Sequence, residues 1–331
     1  MKKIFILIMF IFLLTGCQKY SISDTLYIAS IGIEKEEDMY CGYFYLPLSS
    51  DIGKTENTEN KGKGDYAKVK GKSIAELFRN VKVTITLNMN FRHVSSLVLN
   101  QELMEVEFLN ELSDFIKYSL DIDFNIYLFV TKEKMSEIYD FQNPNQESVL
   151  NSLLVSTSDS KMTYLVAEPI HFLEFMNKFH SNRSIILPLL DLEELWTVEG
   201  KPVKNSYCQS AVYYYKGIVK EAIRNPGSPY IKTIKQFEDV IDGNSITFQN
   251  YKMKIEYKDT LKLNCCFSYE LLRSNNPVTK QDIEQFVKEK VKSYIDEFKE
   301  IDPFDIAYYN AIKGKQMTYD QVDIQVSIKT N

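Results

Sequence analysis

SIAELFRNVKVTITLNMNFRHVSSLVLNQELMEVEFLNELSDFIKYSLDIDFNIYLFVT, residues 73–131, is the stretch in which apolar spacing switches between helical and extended periods. Ser73 with Glu76 three residues later has capping-box spacing, and Ile74, Leu77, Phe78 and Val81 recur at helical intervals. These predict a helix from Ser73 to about Val81. HVSSLVLN (93–100) reads as a short apolar strand. From Glu102 to Leu120, Leu103, Val106, Leu109, Leu112, Phe115, Ile116 and Leu120 fall at three- and four-residue steps, predicting a helix or a helix pair. FNIYLFVT (124–131) is a further strand. Such alternation points to a mixed α/β domain and away from a helical bundle.

Upstream, TLYIASIGI (25–33) and YCGYFYL (40–46) form two strands around the charged turn Glu34 to Asp38, the pattern of a hairpin. SSDIGKTENTENKGKGD (49–65) is polar and aperiodic, hence a loop. Lys61, Lys63, Lys68, Lys70 and Lys72 follow closely, but Asp65 and glycines interrupt them and no aromatic platform accompanies them. They are expected to be solvated rather than to form a nucleic-acid patch.

Downstream, residues 134–183 are expected to be mainly helical, with breaks at Pro144 and Pro169, and they lead into the apolar run Ile185 to Leu190. Gly200 and Pro202 mark a boundary. Beyond it lie longer strands, YCQSAVYYYKGIV (207–219), ITFQNYKMKIEYKD (246–259) and LKLNCCFSYELLR (261–273), the last two joined by a tight turn at Asp259-Thr260. Thr279 with Asp282 opens a helix whose stripe of Ile283, Phe286, Val287, Val291, Tyr294, Ile295 and Phe298 should pack on its own sheet. In VDIQVSIK (322–329) apolar residues alternate with polar ones, as in a half-buried strand. The expected class is therefore mixed α/β (α+β) and multi-domain. Each domain has a mainly antiparallel or mixed sheet with flanking helices, and the long alternating strands lie in the C-terminal domain. The expected divisions are 25–199, with two subdomains split near 135, and 200–331.

At 44% hydrophobic and 25% charged residues the chain has the composition of a folded protein, and 331 residues correspond to about two domains. The net charge of −6 provides no cationic field for nucleic acid. Only 12 residues are Gly, which disfavours folds built on Gly-rich nucleotide loops, whereas 22 Tyr and 20 Phe favour aromatic-rich strands.

The beginning of the chain is an address. Lys2 and Lys3 precede an apolar run from Ile4 to Leu14, too short for the ~20 residues of a stable membrane span. Leu14-Thr15-Gly16-Cys17 resembles the lipobox of bacterial lipoproteins. The resemblance implies that residues 1–16 are a signal peptide, that Cys17 is the lipid-attachment residue, and that 17–24 form a lipidated N-terminus and tether. Two acyl chains give stable attachment where one is marginal. Cys41, Cys208, Cys265 and Cys266 are too sparse for a disulfide scaffold and are expected to be core or strand residues, with one bridge of Cys41 or Cys208 as the alternative. Cys265 and Cys266 are neighbours in a strand and point to opposite faces.

No catalytic constellation emerges. His93, His171 and His180 fit no metal-ligand spacing, and nucleophile-elbow, phosphate-loop and dinucleotide fingerprints are lacking. Asp121-x-Asp123 and Asp191-x-Glu193-Glu194 are expected to be solvated or capping groups. With the anchor, this moves the weight toward binding or assembly, without enzymatic activity, metal or cofactor.

The order of motifs resembles the Ger(x)C family of spore germination lipoproteins, the C subunits of nutrient germinant receptors. Ile31-Gly32-Ile33-Glu34 is similar to the family's Gly-Ile-Asp strand end, and VKGKSIAEL (69–77) to its strand, Gly and helix-start block. Arg92-His93-Val94 with SSLVLNQELME resembles its His, strand and Glu-containing helix start. QSAVYYYKGIVK (209–220) resembles the Gly-Ala-Val-Phe block, and Asp302-Pro303-Phe304-Asp305-Ile306 with the final strand the closing region. The chain departs at Gln18-Lys19, where Trp-Asp is usual, at DIDFN (121–125), which replaces an Arg-rich segment, and at Asp305-Ile306-Ala307, which lacks a Gly pair.

The resemblance implies a three-domain α/β arrangement and a non-enzymatic subunit on the outer face of the spore inner membrane. Its partners would be a polytopic A subunit and a transporter-like B subunit; it assigns no ligand-binding residue. The competing readings are a solute-binding lipoprotein of an ABC transporter, which the low Gly content and long C-terminal strands fit poorly, and a tethered cell-wall hydrolase, which lacks its catalytic groups.

Overall fold

A computed structural model describes residues 25–46, 65–84, 88–119, 122, 125–140, 170–198, 201–223, 236–273 and 277–329. Within them the first region runs β1 (Thr25–Tyr27), β2 (Ser30–Glu36), β3 (Met39–Leu46), β4 (Asp65–Gly71), α1 (Ile74–Thr84), β5 (Asn88–Asn90), β6 (Ser96–Asn100), a 3₁₀ turn (Gln101–Leu103), α2 (Val106–Ser119), β7 (Tyr127–Thr131) and α3 (Met135–Asp140). It continues with β8 (Ile170–His171), α4 (Phe172–His180), β9 (Ile185–Val198), β10 (Lys201–Tyr215) and β11 (Ile218–Ile223). The second region comprises β12 (Gln236–Ile241), β13 (Asn244–Tyr257), β14 (Leu261–Arg273), α5 (Lys280–Phe298), α6 (Ile306–Lys313) and β15 (Val322–Ile328).

The mixed, multi-sheet architecture is as expected. A nine-stranded sheet has the order β11-β10-β9-β7-β6-β2-β3-β4, with β8 added against β7. Its four central strands, β2, β6, β7 and β9, are mutually parallel, and an antiparallel hairpin extends it on each side. Parallel strands covered on both faces need near-continuous apolar runs, which Leu97-Val98-Leu99 and Leu128-Phe129-Val130 supply, all at most 1% exposed. One face packs under α1, α2 and α4. The other is covered by α3 at one end and by α5 of the second region at the other.

The sheet runs through the sites where breaks were expected. Near residue 135, β7 pairs with both β6 and β9, and on either side of the other expected boundary Lys201 pairs with Val198 as β9 and β10 run antiparallel. The segment 25–33 is split instead: β1 leaves for a two-stranded parallel pair with β5, while β2 enters the large sheet. The expected strand 207–219 is also interrupted. Lys216 (φ 49°) and Gly217 (φ 85°) form a two-residue turn between Tyr215 and Ile218, a geometry that needs left-handed backbone at both positions. Residues 134–183 contribute α3 and α4 as helices, with the strand β8 before α4; 141–169, including Pro144 and Pro169, lie outside the described residues.

The second sheet has the order β12-β13-β14-β15, antiparallel except for the last pair. The parallel return to β15 requires a crossover, made by α5 and α6. Thr279 and Asp282 form the capping box of α5, and the helix buries Ile283, Val287, Val291, Tyr294, Ile295 and Phe298. Full burial of such side chains stabilises by roughly 1.5–3 kcal/mol each. Most of the stripe faces its own sheet, while Tyr294 and Phe298 pack with Ala211, Tyr213 and Tyr215 of β10.

Candidate functional site

Three of the sequence motifs prove to be joints. Gly32 in β2 lies directly beneath α3. A Cβ there would come within 2.5 Å of the Tyr139 ring and 2.8 Å of Met135 Sδ, so the helix can sit on the strand only where a side chain is lacking. Two residues on, buried Glu34 accepts the Met135 N–H at 2.9 Å, at the opening of α3, and the Tyr43 hydroxyl at 2.7 Å. Ser30, Ser96 and Tyr139 complete this polar seam through hydroxyl contacts of 2.8 Å.

Gly71 makes the second joint. A Cβ at this position would lie 2.4 Å from the Leu77 backbone nitrogen, because the first turns of α1 rest on the end of β4. Ser73 accepts the Glu76 N–H at 3.1 Å, and Glu76 accepts the Lys72 N–H at 2.9 Å, so the expected cap is formed.

The third joint is the Asp302–Asp305 segment, in which both aspartates adopt left-handed backbone, with φ 50° and 54°. Asp302 accepts the Ile306 and Ala307 N–H groups at 2.7 and 2.9 Å, capping α6, and the Tyr319 hydroxyl at 2.6 Å. Burial, then the adjacent Asp302 carboxylate, raise the Tyr319 pKa far above the usual phenol value, so this phenol remains a donor. Asp305 faces the other sheet: its Oδ2 accepts Arg183 Nε and Nη2 at 2.9 and 2.7 Å, and its Oδ1 accepts the Ser184 N–H at 2.8 Å. Arg183 also lies over the Tyr308 ring, 5.0 Å from its centre. This clasp and the Tyr213–Tyr294 hydroxyl contact tie the two sheets together.

Beside the clasp is a cleft of about 190 Å³ lined by Val106, Asn110, Phe179, His180, Asn182, Arg183, Tyr214 and Lys216. The β10–β11 turn supplies Lys216, the end of α4 supplies Phe179 and His180, and the start of α2 supplies Val106 and Asn110. Asn182, with left-handed backbone at φ 52°, turns the chain after α4 so that Arg183 meets Asp305. Phe179 and Tyr214 form one wall, their ring centres 5.8 Å apart. The lining contains three cationic or protonatable side chains and no carboxylate. Sequence spacing did not reveal this convergence, because its groups come from three separate stretches; the one local signal was the Lys216-Gly217 turn.

The residues singled out by sequence are dispersed. His93 lies edge-on to Tyr27, ring centres 5.1 Å apart. His171 Nδ1 is 2.9 Å from the Asn125 carbonyl, and its ring stacks on Tyr127. Only His180 reaches the cleft. Asp191, Glu193 and Glu194 lie along β9, with backbone partners Tyr207, Asn205 and Lys204. Cys17, Lys61, Lys63, Asp121 and Asp123 are outside the described residues. Lys68 and Lys70 both pair with Glu36, and those two bonds hold its carboxyl at about 2. Cys41 is a buried free thiol, pushed up to about 11 chiefly by burial, and Cys265 and Cys266 are also free. Among the described residues no group of three or more His, Cys, Asp or Glu could hold a metal ion, and no helix is long and apolar enough to cross a membrane.

Comparison with known proteins places these joints in context. The sequence matches the family model described as the spore germination protein N-terminal domain over residues 18–192, more than half of the chain. Among solved structures it is similar to the crystal structure of the GerBC protein, with a TM-score of 0.47 and 14% identity over 90% of this chain and 95% of that one. A search of curated proteins gives no match. The Gly32 and Gly71 joints both lie inside the matched stretch, and the chain belongs to the Ger(x)C family of spore germination proteins.

Proposed function

We propose that this chain is the lipid-anchored, non-catalytic C subunit of a nutrient germinant receptor, held at the outer face of the spore inner membrane by Cys17 and assembled there with the polytopic A and transporter-like B subunits. The observation that carries the reading is the family match over residues 18–192, which begins directly after the lipobox cysteine. Residues 1–16 act as the signal peptide and 17–24 as the tether. Anchoring gives the body a high effective concentration beside its membrane partners, so weak contacts suffice for assembly. We further divide the body into an N-terminal unit, whose subdomains share the large sheet, and a C-terminal sheet-and-helix unit.

The test is genetic complementation. Spores lacking the gene are restored with wild type or Cys17→Ala, and dipicolinate release is measured across a nutrient panel. The expected outcome is loss of response to one nutrient class, rescued only by the form that can be lipidated. A Cys17→Ala protein that stays membrane-bound and fully active would sink the anchor role. Unchanged release in the deletion strain would instead point to a redundant receptor or to the solute-binding reading.

A further inference from the structure

We infer that the cleft between α2, α4 and the β10–β11 turn binds a small organic carboxylate carrying an aromatic or branched apolar group. Charge is the first argument. His180, Arg183 and Lys216 line one depression together with the amides of Asn110 and Asn182, and no acid is among the lining residues. Asp305, which Arg183 grips, is already satisfied by that guanidinium and the Ser184 N–H. Two of the guanidinium nitrogens donate to it, and the fork retains further N–H groups.

The second argument is a buried donor. Tyr214 is 2% exposed and lines the cleft, and its hydroxyl is bound by no side chain, the Gly217 backbone being the polar group beside it. A buried hydroxyl short of partners is destabilising, and an acceptor brought beside it relieves that penalty. Burial raises the Tyr214 pKa, so at neutral pH it can donate to an anion.

Size and apolar lining narrow the ligand. A dry cavity of about 150 Å³ accommodates benzene, so about 190 Å³ suits a ring or branched chain bearing one carboxylate. Phe179 and Tyr214 offer ring faces, and Val106, 41% exposed, adds an apolar edge. Inorganic phosphate shares the charge but cannot use these surfaces.

Benzoate, with benzamide and inorganic phosphate as comparators, is titrated by calorimetry into the full-length lipoprotein in detergent micelles. Saturable benzoate binding is expected with a dissociation constant of about 1 mM, as suits a ligand of nine heavy atoms in an open site. Lys216→Gln and Tyr214→Phe should each weaken it about tenfold. Asn110→Asp, nearly isosteric on an exposed helix face, should abolish it by placing a carboxylate in the cleft while leaving the melting temperature within a few degrees. Benzamide binding as tightly as benzoate, phosphate binding as tightly as benzoate, or benzoate affinity unchanged in folded Asn110→Asp would each overturn the assignment, as would the absence of saturation. None of these readouts depends on spore germination, so they stand apart from the receptor test.

Discussion

Glu34 and Asp302 are both carboxylates that cap a helix, yet they act over very different spans of chain. Glu34 receives the Met135 amide, 101 residues away, and the helix it holds can approach only because residue 32 lacks a side chain. Asp302 caps a helix that starts four residues later, and Tyr319, 17 residues on, completes its shell. The larger sheet is thus assembled by long-range fit and the smaller by short-range satisfaction of polar groups. Strain introduced in the first should propagate, whereas a missing acceptor in the second should act locally.

The largest effect should come from Gly71→Ala, because the obstacle is the Leu77 main chain in a helix that cannot yield. A loss of about 3 kcal/mol or more in urea unfolding is expected. Asp302→Ala leaves two helix amides and a half-buried phenol without their acceptor and should cost about 2–3 kcal/mol. Its effect should appear as early melting of the smaller sheet, read by hydrogen exchange at Leu263 and Cys265. Exchange accelerated equally at Leu97 and Leu128 would break the distinction between the regions.

Gly32→Ala meets only the ends of Met135 and Tyr139, so about 1–2 kcal/mol is expected. Adding Met135→Ala should recover part of it; no recovery would place the conflict elsewhere. Asp305→Asn weakens the pair with partly exposed Arg183 and should cost about 1 kcal/mol, separating the calorimetric transitions of the two regions. Smallest is the pH response of the Lys68–Glu36–Lys70 group. The Glu36 carboxyl lies at about 2 in the folded chain against 4.5 ordinarily. Its stabilisation is complete above 4.5 and is lost as pH falls toward 2. Glu36→Gln should flatten that part of the pH–stability curve, and 0.5 M salt should do much the same.

This contrast also decides what the sequence makes legible. The Ser73-Glu76 and Thr279-Asp282 caps, the α5 stripe and the alternation of β15 are local, and each is found where its spacing places it. So is the shift of apolar parity in ITFQNYKMKIEY, where Ile246 and Phe248 give way to Tyr251 and Met253. A bulge at Asn250, φ 53°, turns Tyr251 into the core. The turn Asp242-Gly243, which creates β12, is equally local, although β12 is not among the expected strands. Strand order is different in kind. Nothing near residue 28 announces that β1 joins β5 while β2 joins β6, and nothing near residue 200 shows that β10 extends the large sheet. The cleft shares this property, since Asn110, His180 and Lys216 meet only through that order.

The Arg183 guanidinium belongs to the cleft and to the clasp at once. Because its nitrogens form one rigid plane, fixing two of them on Asp305 also fixes where the remaining N–H bonds point. A chain cut after Ile223 would therefore retain every lining residue of the cleft and lose the aim of one of them. Ownership of atoms and ownership of their direction are divided between the two sheets.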